Sequence, residues 1–157
     1  MPVFIFLHVL TMFVAVAMAY GPAMLIVVAA QGGDVVGLRG VMATSNRLSR
    51  LVAPAFLLGF IFGVLAIFFH GFDPLAGWLV IAYILFAAVI AMTVLFTAPW
   101  LKRVTAAAAA SPDDPMSTEL RELLGSPRNR VLLAIDALII VALIADMVLK
   151  PLPGRLF

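Results

Sequence analysis

Two histidines and two aspartates are the side chains in this sequence with chemistry to offer, because each interrupts a stretch that is otherwise apolar. An ionisable group in such a stretch is costly unless it has a partner or a function. His8 lies about one and a half turns into the first apolar run, and His70 closes the second. At about 100° per residue, His8 shares a helical face with Met12, Ala15 and Ala19, while Gly59, Gly63 and Ala66 fall within about 40° of His70. Small residues at this spacing, including the GxxxG of Gly59 and Gly63, mark a face on which another helix packs. If the two runs are antiparallel membrane helices, both histidines emerge near one membrane surface. One histidine from each of two facing helices holds a b-type haem axially or begins a metal site. The competing reading is a histidine that only hydrogen-bonds a neighbouring backbone group.

Asp146 falls in the last turn of the fourth run, where it would complete a His8, His70 and Asp146 metal cluster or pair with Lys150 on its own helix face. Asp136 lies deeper, with no basic residue at a helical neighbour position. Its cost must be met by Arg47, Arg50 or Arg128, by Tyr20, or by its own protonation. Asp136, Asp146 and Tyr20 are therefore the candidates for a proton or ion relay. The chain has no cysteine, which excludes disulfides and thiolate chemistry. Met12, Met18 and Met24 fall on different faces, which gives no methionine path for copper. There is no GxGxxG, phosphate loop or HExxH, and the basic residues lack interleaved aromatic platforms, which argues against a nucleic-acid partner.

The elements that must position these residues follow from composition. Of 157 residues, 65% are hydrophobic and 11% charged, against about 25% charged in a soluble domain; the mean hydropathy is +1.20. The sequence predicts an all-α, polytopic membrane four-helix bundle as a single domain, with spans over 3–30, 51–71, 77–99 and 131–149. Ala17-Met18-Ala19 resembles a signal-cleavage site, but no basic residue precedes it, and the first run reads as a retained helix kinked at Gly21-Pro22. The 31–50 loop is expected to hold a short amphipathic helix. Trp78 and Trp100 bracket the third span about 33 Å apart, as two aromatic belts would, and Pro99 is expected to close it. In the 101–130 loop, Asp114-Pro115 reads as an N-cap with proline at the first helical position, and that helix ends near Gly125.

Of the ten basic residues, three lie in the 31–50 loop, five in the 101–130 loop, none in the 72–76 link and two, Lys150 and Arg155, in the tail. This asymmetry predicts cytoplasmic large loops and both termini outside. The partners expected are the lipid bilayer, with anionic headgroups at the basic loops, and other membrane subunits or further copies of the chain.

Phe6-Leu7-His8-Val9-Leu10, Val52-Ala53-Pro54 with Gly59, Gly77-Trp78, Pro99 and Met147-Val148-Leu149-Lys150-Pro151 together resemble a bacterial family of four-helix integral membrane proteins of unknown function. That family is distantly similar to the membrane part of copper-resistance protein D and to HemJ-type protoporphyrinogen oxidase, which place a histidine early in a first span. The resemblance implies a multi-pass protein of the bacterial inner membrane, with His8 as a haem or metal ligand. The Trp-x-x-Gly pattern that follows this histidine in those proteins is replaced here by Phe13-Val14-Ala15-Val16. The functions to weigh are an accessory subunit with a haem or metal site near the outer face, a haem-linked oxidoreductase, and a proton or metal permease.

Overall fold

The computed structural model describes residues 2–152 and 154, and shows an all-α chain. Arg155, counted in the tail above, lies outside the described residues. In order the helices are α1 (Pro2–Gln31), α2 (Val35–His70), α3 (Gly77–Met92), a π-helical segment (Thr93–Thr97), α4 (Ala98–Ala110), α5 (Thr118–Gly125) and α6 (Pro127–Leu149). Four stretches are long and apolar enough to cross a membrane: Pro2–Gln31, Val35–His70, Gly77–Ala110 and Thr118–Leu149. The protein is thus a multi-pass membrane protein by helix length and composition. The chain forms two compact units, one from Met1–Gly71 with Thr105–Leu124, the other from Phe72–Val104 with Gly125–Phe157.

In the first unit α1 packs along α2. Their connection is set by Gly33, whose φ of 68° suits a residue without Cβ, and by Asp34, whose carboxylate caps α2 by accepting from the Gly37 N–H at 2.8 Å. From that cap α2 runs unbroken for 36 residues. The separate amphipathic helix expected in the 31–50 loop is instead its first half, because nothing between Val35 and Arg50 breaks the helix. Val35 and Leu38 there are fully buried, as is Leu120 of α5 in the same unit.

Arg39 joins this half of α2 to the end of α4. Its Nε donates to the Ala108 carbonyl at 2.8 Å, and its two terminal nitrogens donate to the Ser111 carbonyl and the Asp113 carboxylate. The last carbonyls of a helix have no partner within it and lie at the negative end of its dipole, so a guanidinium is well suited to them. Beyond this clamp α5 is capped by Ser117, whose hydroxyl accepts from the Leu120 N–H at 3.3 Å. Asp114 is not the cap: the Asp114-Pro115 peptide is cis and lies in the bend before α5.

In the second unit α3 packs against α6. The helix expected to stop at Pro99 continues to Ala110. Proline lacks an N–H and its ring collides with the carbonyl four residues back. The chain accommodates this by widening one turn, so that the Ala98 N–H reaches the Thr93 carbonyl in π register. The first N–H groups of α3, on Gly77 and Trp78, donate to the Gly154 and Leu152 carbonyls of the tail at 2.8 and 3.1 Å.

Replacing Arg39 with Met keeps the aliphatic stem and leaves the α4 carbonyls uncapped. We expect a loss of about 1.5–3 kcal/mol of stability, seen as a lowered thermal midpoint in detergent; an unchanged midpoint contradicts the clamp.

Candidate functional site

The histidines belong to the first unit and sit at one end of the α1–α2 pair. Phe4 and Phe69 stack there with ring centroids 4.9 Å apart; His8 is one turn along α1 from Phe4, and His70 follows Phe69. His8 lies over the glycine face of α2. Its Nδ1 is 2.8 Å from the Gly59 carbonyl, and a Cβ built on Gly63 would fall 2.9 Å from the same nitrogen. One turn further, a Cβ on Gly59 would meet the Met12 side chain at 3.0 Å, and Ala15 beyond it is wholly buried. The expected small-residue interface is present, and its two glycines make room for His8 and Met12.

This hydrogen bond decides the tautomer. A carbonyl oxygen only accepts, so Nδ1 carries the hydrogen and the lone pair of a neutral ring is on Nε2. His70 has the same chemistry in a local form, its Nδ1 donating to the Ala66 carbonyl one turn back in α2 at 3.1 Å. A backbone partner on Nδ1 is also the outer-shell arrangement that orients ligating histidines. Among the described residues, however, no group of three or more His, Asp or Glu side chains gathers as a metal site requires.

The aspartates belong to the second unit, both on α6, about 15 Å apart along the axis. Asp136 is 3% exposed and Asp146 6%. Among the described residues neither carboxyl oxygen of Asp146 has a hydrogen-bond partner. The expected Asp146–Lys150 pair does not form. Lys150 terminates α6 in the left-handed region with φ 46°, which takes it off the helical face that would align it with Asp146. Its Nζ lies 4.7 Å from the ring centre of Phe72 and 5.0 Å from that of Trp78, held by the negative ring faces. Trp78 is correspondingly 7% exposed, not displayed as a belt residue. Arg47, Arg50 and Arg128, the arginines expected to reach Asp136, make no hydrogen bond or ion pair through their side chains beyond the helix among the described residues. Sequence reasoning treated Phe72 only as part of a turn; its nearness to Trp78 was the available sign of an aromatic seat for Lys150.

Comparison with known proteins finds no protein family, curated protein or solved structure that matches the chain.

The His8 contact predicts a graded response to added methyl groups. Ala is intrinsically favoured over Gly in a helix by about 1 kcal/mol, yet on Gly63 the methyl must displace a ring fixed by its own hydrogen bond. Gly63→Ala should lower stability by about 1–3 kcal/mol, while Gly59→Ala, facing only flexible Met12, should cost less. Thermal unfolding of both variants in one detergent checks the order, and equal midpoints would contradict it.

Proposed function

We propose that this multi-pass membrane protein handles protons or a cation, and that Asp146 is the carboxyl that binds and releases them. The observation that carries this reading is its burial in a span with neither oxygen hydrogen-bonded among the described residues. An ionised carboxylate in that setting costs several kcal/mol. The group is stable there as the neutral acid or with a bound cation, and exchange between such states is what a relay or permease requires. Asp136, one further buried carboxyl along α6, is the other member proposed for the path. The location proposed is a bacterial plasma membrane, with both termini outside as the basic residues imply.

A hydrophobic carbodiimide tests this reading. It adds only to a protonated carboxyl, and in an apolar site the adduct rearranges to a stable N-acylurea. We expect intact-mass and fragment spectra to place one adduct at Asp146, with labelling falling as pH rises and absent in Asp146→Asn. Labelling confined to loop carboxylates would overturn the reading.

A second reading is favoured by the His8 Nδ1 hydrogen bond, which leaves Nε2 as the donor atom a haem iron or metal would take. His8, with His70 as the second candidate ligand, would then hold the group, which would supply one-electron chemistry to an accessory subunit or a HemJ-type oxidoreductase. Purified protein mixed with haemin should develop a Soret band that His8→Ala abolishes; no band in the parent protein rejects this alternative.

A further inference from the structure

The α1–α2 pair holds a groove of about 570 Å³, a volume in the range of pockets that take small ligands. Phe13, Ala17 and Gly21 line it from α1, and Gly40, Thr44 and Leu48 from α2. Its α1 side runs from Phe13, next to Met12, to Leu25, and its α2 side from Gly40 to Leu48. Two pairs of glycines in these helices differ. A Cβ on Gly59 or Gly63 would press on Met12 or His8, whereas a Cβ on Gly21 or Gly40 would meet nothing within 4 Å. The second pair therefore does not serve close helix packing; it borders open volume.

The groove also has direction. Its α1 side lies in a run with no charged residue from Pro2 to Gln31, and its α2 side lies in Val35–Arg50, which carries Arg39, Arg47 and Arg50 and no acidic residue. Arg39 is engaged by the end of α4. Arg47 is exposed, stands one turn from Thr44 and next to Leu48, and makes no side-chain hydrogen bond or ion pair among the described residues. An apolar groove flanked in sequence by an exposed guanidinium that is unpaired among the described residues suits a lipid with a hydrocarbon tail and a negative head.

We infer that this groove is a binding site for an anionic phospholipid, with one acyl chain lying along Ala17 and Gly21 and the phosphate met by Arg47. The open space at the glycines gives a direct test, since a Cβ at either position meets nothing within 4 Å and leucine has a higher helix propensity than glycine. The full chain is reconstituted into bilayer discs of equal phosphatidylglycerol and phosphatidylcholine, transferred to mild detergent, and weighed intact with its retained lipid. The parent protein should retain phosphatidylglycerol in preference. Arg47→Gln should reduce that preference about fivefold, the value of one basic contact near a membrane surface. Gly40→Leu should lose the retained lipid of both kinds while its circular dichroism stays helical, and Gly21→Leu serves the same purpose if Gly40→Leu does not fold. Equal retention of the two lipids by the parent, or undiminished retention in both leucine variants, overturns the site. So does a change of oligomeric mass in those variants without loss of lipid, which would assign the groove to a second copy of the chain.

Discussion

A hydrocarbon layer offers no water, so each N–H, carbonyl and ionisable side chain placed in it must find its partner within the protein. That constraint accounts for most of the local structure. Pro99 leaves α4 short of a donor and in collision with a carbonyl, and the π turn at Thr93–Thr97 relieves both. The leading N–H groups of α3 are met by the tail carbonyls of Leu152 and Gly154. His8 gives its Nδ1 hydrogen to Gly59. Asp146 departs from the pattern, with a buried carboxyl that has no hydrogen-bond partner among the described residues.

The same absence of water changes what holds helices together. Lipid tails are as apolar as leucine, so burial against a neighbour brings no hydrophobic gain, and close contact between backbones matters more. The α1–α2 interface answers with glycines under His8 and Met12 and with a stacked Phe4–Phe69 pair, while large side chains such as Phe13, Phe68 and Val148 remain exposed for lipid. Where the chain is polar the ordinary rule returns. Val35, Leu38 and Leu120 are completely buried, and Arg39 secures that region by hydrogen bonds to a helix end. The first unit is thus held by two kinds of packing, each suited to its solvent.

Charge placement links this packing to function. Arg39 and Lys150 each have a defined seat, one on carbonyls and one on aromatic faces. Lys150, seated on Phe72 and Trp78, forms no ion pair with Asp146. Arg47, between the groove residues Thr44 and Leu48 in sequence, makes no side-chain hydrogen bond or ion pair among the described residues.

The sequence by itself determined the all-α class and the four long apolar helices, because hydropathy over about 20 residues is a local signal. It also marked His8 and the Gly59 and Gly63 face, since helical spacing is readable without knowing the partner. Only the tertiary structure decided what those residues touch: that His8 binds the Gly59 carbonyl, that Lys150 turns to two rings instead of Asp146, and that Arg39 reaches a carbonyl 69 positions away. It likewise carried α4 past Pro99 and moved the α5 cap from Asp114 to Ser117. The physical reason is range. Spacing along one helix fixes which side chains share a face, whereas the partner of a buried polar group is set by which backbone lies opposite, and no local pattern encodes that.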